Sequence, residues 1–264
     1  MGRSDLICES GIMNNNMYSS YVHEGKYFGT DYSDITADEK AEQELGIKRG
    51  RYITVFTGKG DVKGCLHELI RSIVPEGSVL AAGFGNESIS SDSFGVKALS
   101  HIPATAHLSG HKDFNDLGMR SVYVLEAGVT GKTGIESSSL VSRVAGQAGV
   151  SCIIAFDSLA CSDISRLCTA IQITDAGISP GSGVGNDRKP LNRETAGIPV
   201  IAVGVPTVID LDSISDVKEA KGLMVTPRNI DIVTDRLAGI VGKAVSSALN
   251  PSLTENELEA LLLK

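Results

Sequence analysis

From Arg51 onward, short apolar runs alternate with longer segments in which apolar residues recur at helical spacing. Arg51–Thr57, Ser78–Ala82, Ser121–Leu125, Cys152–Phe156, Ala170–Thr174 and Ile198–Val205 are brief and mostly rich in apolar or β-branched residues, which predicts strands. Asp61–Val74 sets Val62, Cys65, Leu66, Leu69 and Ile73 on one stripe, the mark of an amphipathic helix. Further helices are predicted at about Ser93–Leu99 and Ile135–Ala148. Thr226-Pro227 reads as a helix start, with Thr as cap and Pro in the first turn, ahead of Ile230, Val233, Leu237, Ile240, Val241 and Val245 on one face. Thr254 and Glu257 frame a last short helix as a capping box, and Thr36 and Glu39 frame an early one that Gly46 ends. Residues 1–35 carry no period and are expected to be an irregular N-terminal arm. Residues 101–118 read as a surface excursion. The alternation predicts an α/β fold, a mainly parallel twisted sheet flanked by helices, in a single domain over 1–264.

One run breaks the rhythm. From Asp175, the chain crowds Gly177, Pro180, Gly181, Gly183 and Gly185 together, then enters the nearly continuous apolar segment Ile198–Val205. Glycine admits backbone angles closed to other residues, so this is a shaped loop delivered onto a strand buried on both faces.

Composition narrows the classes. Aromatics are 5% and Trp is absent, which does not suit a base-stacking platform. The net charge is −8 and no Lys/Arg block is long enough to track phosphates, so no direct nucleic-acid partner is expected. No apolar run has the length of a membrane span and no basic-then-apolar leader pattern opens the chain, so no membrane partner and a cytoplasmic location are expected. The five cysteines lack metal-type spacing and read as reduced thiols.

Several familiar chemistries fail on spacing. Gly131-Lys132-Thr133 lacks the upstream Gly of a phosphate loop, whose place Glu126 takes, and reads as a turn before a helix. Gly181-Ser182-Gly183 is not a serine nucleophile elbow. His101, His107 and His111 have no partner pattern for zinc and read as solvated loop residues. Two aspartates remain. Asp92 follows the strand at Ser78–Ala82 and the turn Gly85-Asn86, and Asp157 follows the strand at Cys152–Phe156. Ligands of open α/β sheets bind outside the carboxyl ends of the strands, so both carboxylates are placed to face one crevice. Paired carboxylates share a proton and can activate water. The plainer reading has each aspartate capping a following helix or turn.

These residues resemble the spore germination proteases. The resemblance rests on Phe156–Ala160 (F-D-S-L-A), Ile171–Ile178 (I-Q-I-T-D-A-G-I), Ser179–Asn186 (S-P-G-S-G-V-G-N) and Gly197–Asp210 (G-I-P-V-I-A-V-G-V-P-T-V-I-D). Gly128–Glu136, the Gly85-Asn86…Asp92…Gly95 loop, Leu223–Pro227 and Arg3–Glu9 fit as well. It implies an endopeptidase that degrades small acid-soluble spore proteins during germination, working in the spore core as a zymogen-derived homo-oligomer, a tetramer. It implies Asp92 and Asp157 as the essential aspartic-type pair, with Gly85, Asn86, Gly181, Ser182, Gly183 and Asn186 shaping the substrate cleft. It also implies a fold similar to hydrogenase-maturation peptidases. Those use a metal-ligating His with no clear counterpart here, which points to a site with no metal and no cofactor. The alternatives are a catalytically silent binding homologue and a metal-dependent maturation-type peptidase. Leu211–Lys221 is shorter than the insertion usual at that place in the family, and little precedes Arg3 to serve as a propeptide.

Overall fold

The computed structural model describes residues 4–10, 21–181, 189–215 and 222–263. The strands are β1 (Val22–Tyr27), β2 (Thr30–Ala37), β3 (Gly50–Phe56), β4 (Val79–Phe84), β5 (Val122–Gly128), β6 (Cys152–Cys161), β7 (Ala170–Thr174), β8 (Val200–Asp210) and β9 (Met224–Val225). The helices are α1 (Glu39–Leu45), α2 (Val62–Ile73), α3 (Phe94–Leu99), α4 (Lys112–Asp116), α5 (Thr130–Thr133), α6 (Ser137–Ala148), α7 (Arg193–Ala196), α8 (Ile230–Leu249) and α9 (Glu255–Leu262). The described strands form one sheet in the order β1-β2-β3-β7-β8-β6-β4-β5, with β9 added to β8.

The α/β architecture with helices flanking the sheet is the expected one, and parallel pairing occupies one half of it. β5, β4, β6 and β8 run parallel. From β8 through β7, β3, β2 and β1 every pairing is antiparallel. The parallel half is buried on both faces. Ile154 and Phe156 join the core formed with α2, α3 and α8, while Ile153 and Ala155 join the one formed with α6. That is the two-residue alternation of a strand with helices above and below it.

Four boundaries differ from the sequence expectation. The expected irregular arm contains the β1–β2 hairpin, closed by Phe28-Gly29 with both φ positive, at 50° and 79°. A two-residue loop of that kind is a type I′ turn, and Phe at its first position hides the usual Asn/Asp-Gly signal. Thr36 lies within β2 and does not cap a helix. The Asp38 side chain accepts from the Ala41 amide instead, and α1 ends at Gly46 in the left-handed region as expected. Thr226 donates to the Thr207 carbonyl at 2.7 Å, and the last long helix starts later, at Ile230. The most consequential difference is β6. It does not end before Asp157 but continues to Cys161 alongside β8, whereas β4 stops pairing with it at Gly83↔Phe156. Asp157 is therefore the first residue of β6 beyond the end of the β4 ladder, at the carboxyl edge of the parallel half.

Candidate active site

Asp92 ends a short 3-10 turn, Ser90–Asp92, just before α3. Its side chain does not cap that helix, because Ser93 stands at the cap position without a side-chain bond. The Asp92 carboxylate turns back toward the end of β4, where the Asn86 amide donates to both Asp92 O and Asp92 Oδ2 at 2.9 Å. Gly85 makes this approach possible. It sits at φ +104°, and a Cβ there would lie 2.0 Å from the Asp92 carbonyl oxygen. The Asn86 side-chain oxygen accepts from the Ser88 amide at 3.1 Å, so Asn86 shapes the turn that holds Asp92 and does not itself line the cleft. From the opposite side, Thr207 on β8 donates to Ser91 O at 2.6 Å. The loop is thus tied to two strands of the sheet.

Asp157 is only 4% exposed. Its Oδ1 accepts from the Ser158 amide at 2.9 Å, within a strand that continues, so it caps no turn. Burial pushes its carboxyl well above the usual carboxylate range, followed by the charge of Asp92 and then that of Asp5; main-chain bonds from Ser158 and Gly181 pull the other way without cancelling the effect. Desolvation of a charged group and a like-charged neighbour act in the same direction, so Asp157 holds its proton where an exposed aspartate has lost it.

The two aspartates line one cavity of about 300 Å³ with Gly85, Ile89, Val129, Leu159, Gly181 and Val208. A second cavity of about 390 Å³ adjoins it, lined by Asp5, Lys48, Tyr52, Gln172, Thr174 and Asn192 among others. Asp157, Ser158, Leu159 and Gly181 border both. The cleft therefore has two lobes that meet at Asp157. The first is walled more by apolar than by polar surface, the second by the two in equal measure. Tyr52 in the second lobe is pushed up to about 12, chiefly by burial.

The structure brings together Asp92, Asp157, Gly85 and Gly181 of the residues singled out from sequence. Ser182, Gly183 and Asn186 lie outside the described residues. Ile178 and Leu191, on either side of them in the chain, pair with each other, each amide donating to the other's carbonyl at 2.9 and 2.7 Å. Gly131-Lys132-Thr133 falls in α5, a single turn at the end of β5. Among the described residues, no group of three or more His, Cys, Asp or Glu side chains is disposed to hold a metal ion. Asp5 and Gln172 are cleft residues that sequence reasoning did not single out as such. Nothing in the spacing of an N-terminal aspartate announces a contact with a strand more than 150 positions away.

Comparison with known proteins places this geometry in context. The sequence description of the germination proteases matches residues 11–220. A germination protease of Caldanaerobacter subterraneus subsp. tengcongensis is 32% identical over 279 aligned positions, covering 85% of this chain and 86% of that protein. One from Priestia megaterium is 36% identical over 210, covering 74% of this chain and 57% of that protein. Among solved structures, a [NiFe] hydrogenase maturation protease, HycI from Thermococcus kodakarensis, aligns with a TM-score of 0.38 and 15% identity over 69% of this chain and 98% of that one.

Proposed function

The chain belongs to the germination protease family, and on that premise we propose that it is an endopeptidase whose aspartate pair, Asp92 and Asp157, activates water against a peptide bond. The observation that carries this reading is a buried, proton-retaining Asp157 sharing one cavity with Asp92, at the meeting point of two lobes. An attacking water is bound between the carboxylates. Asp92, half-buried and supported by the Asn86 amide, takes its proton as general base. Asp157 donates to the carbonyl oxygen as the tetrahedral intermediate forms; as the C–N bond breaks, the proton held by Asp92 passes to the leaving amine and the intermediate's hydroxyl returns a proton to Asp157, which restores the starting state of the pair. A carboxyl group that burial keeps protonated is suited to be the acid, which leaves its neighbour to serve as the base. The two-lobed cleft suits a peptide running past the site on both sides.

The substrate class we propose is the small acid-soluble spore proteins, cleaved during spore germination in the spore core. The test is cleavage of a purified protein of that class by wild type, Asp92→Asn and Asp157→Asn. Each variant is expected to lose at least ~100-fold in kcat, the low end of what general acid–base groups contribute. Either variant cutting at the wild-type rate removes the pair from the mechanism, and a wild-type chain that never cuts removes the peptidase reading. Wild-type cleavage abolished by a chelator and restored by a divalent ion would instead favour a metal-dependent peptidase.

A further inference from the structure

The segment Ser4–Ser10 is built into the cleft rather than trailing from it. Leu6 and Ile7 are 3% and 4% exposed. Leu6 packs with Leu159, Cys161, Ala170 and Ile209, and Ile7 with Ile35, Ala37 and Ala41. Asp5 satisfies both main-chain groups of Ala160: its amide donates to Ala160 O at 2.9 Å, and its Oδ2 accepts from the Ala160 amide at 2.8 Å. Glu9 accepts from the Ser162 amide and hydroxyl, each at 2.6 Å, and from the Asp163 amide at 3.2 Å. Gln172 on β7 closes the arrangement, donating to Asp5 O at 2.9 Å and accepting from the Ile7 amide at 2.7 Å. The segment is a strap, held by two apolar plugs and two carboxylates over the end of β6 that overruns β4.

Resting on the aspartate-pair reading of the site, we propose that Asp5 is a positioning residue for Asp157: the strap carries its carboxylate into the cleft wall, where it fixes the overrunning end of β6 through Ala160 and sets a third negative charge beside the pair. Asp5 and Asp157 line the same lobe, only Ser158 and Leu159 of β6 separate Asp157 from the Ala160 contact, and Asp5 is one of the charges that favour the protonated form of Asp157. Among the described residues, the titratable side chains that line the two lobes with Asp157 are Asp5 on the strap, Lys48 before β3, Tyr52 on β3 and Asp92 ahead of α3. Lys48 is exposed, so its opposing charge is screened by solvent, whereas the Asp5 carboxylate is fixed by a hydrogen bond.

Two substitutions separate charge from anchorage in the full chain. Asp5→Asn keeps an oxygen to accept from Ala160 and removes the charge. Asp5→Ala removes both. The readouts are the pH profile of kcat/KM and, independently of activity, the titration of Asp157 followed by carboxyl-carbon NMR on 13C-aspartate-labelled protein. In Asp5→Asn the thermal midpoint is expected to stay near wild type. The alkaline limb of the profile and the Asp157 titration are both expected to move to lower pH, with about a three- to tenfold loss of kcat on that limb, the scale of one neighbouring charge in a partly wet cleft. Asp5→Ala is expected to add a lower thermal midpoint and a pH-independent loss. Profiles and titrations of Asp5→Asn that superimpose on wild type overturn the inference, as does an equal loss at every pH. An inactive Asp157→Asn with no titration shift in Asp5→Asn sinks the role of Asp5 alone. A shifted titration with a fully active Asp157→Asn sinks the aspartate reading and leaves Asp5 as an electrostatic neighbour without a part in cleavage.

Discussion

A carboxyl group in the position of Asp157 is costly to ionise, and the cost appears in both stability and catalysis. Its ordinary value is 3.8, and the folded state raises it. Below that ordinary value the group is protonated whether the chain is folded or not, and it contributes no difference. As pH rises above it, the unfolded chain releases the proton while the folded one keeps it, so wild type loses stability until the folded group also ionises. Asp157→Asn, neutral throughout, is therefore expected to be more stable than wild type at neutral pH, with the gap closing as pH falls toward the ordinary carboxylate range. Denaturant midpoints across that range measure it. In the proposed mechanism the same group sets the alkaline edge of activity, since a general acid is lost once it ionises; kcat is expected to fall as pH rises through the raised value, not through 3.8. Gly85 is the other sensitive residue. Gly85→Ala forces a side chain into contact with the Asp92 carbonyl and into a left-handed backbone region, an expected loss of ~1–3 kcal/mol read by thermal unfolding, together with loss of cleavage as the Asp92 loop is displaced.

Elements, more than single residues, hold the pair in register. The Asp92 loop hangs between β4, through the Asn86 amide, and β8, through Thr207. Thr207 is buried at 1% exposure, and Thr207→Val leaves the Ser91 carbonyl without that donor. It is expected to cost about 1–3 kcal/mol in stability and to lower kcat more than it raises KM, because it loosens the base rather than the substrate walls; steady-state kinetics beside chemical denaturation check both parts. The strap is held chiefly by burial. Leu6→Ala opens a cavity among Leu159, Cys161, Ala170 and Ile209, an expected cost of about 2–5 kcal/mol. An unchanged unfolding midpoint would show that the strap is not docked as described.

At the scale of the whole molecule, the sheet's two halves divide the labour. The parallel half, β5-β4-β6-β8, carries both aspartates at its carboxyl edge, and the antiparallel half brings β3 and β7, with Tyr52 and Gln172, to wall the second lobe. The cleft extends to both sides of Asp157, so peptides blocked at both termini are expected to be cut as readily as free ones. Cleavage confined to peptides with a free terminus, measured by mass spectrometry of the products, would replace the endopeptidase reading with an exopeptidase one.

The helix–strand alternation and the placement of Asp92 and Asp157 after strands were legible in the sequence because each rests on local chemistry: periodicity and residue type after an apolar run. Boundaries were legible where a local device sets them, as at Gly46 and in the Thr254–Glu257 capping box. They were not where distant partners do. β6 runs past Asp157 because β8 continues to pair with it, and Thr226 turns away from the helix because Thr207 offers an acceptor. The sequence by itself determined an α/β chain with Asp92 and Asp157 each placed after a strand. Only the tertiary structure decided that the two share a cavity, that burial and the neighbouring Asp92 charge raise the Asp157 carboxyl, and that Asp5 lines the adjoining lobe. Those outcomes depend on desolvation and on contacts between residues far apart in the chain, and neither leaves a trace in local spacing.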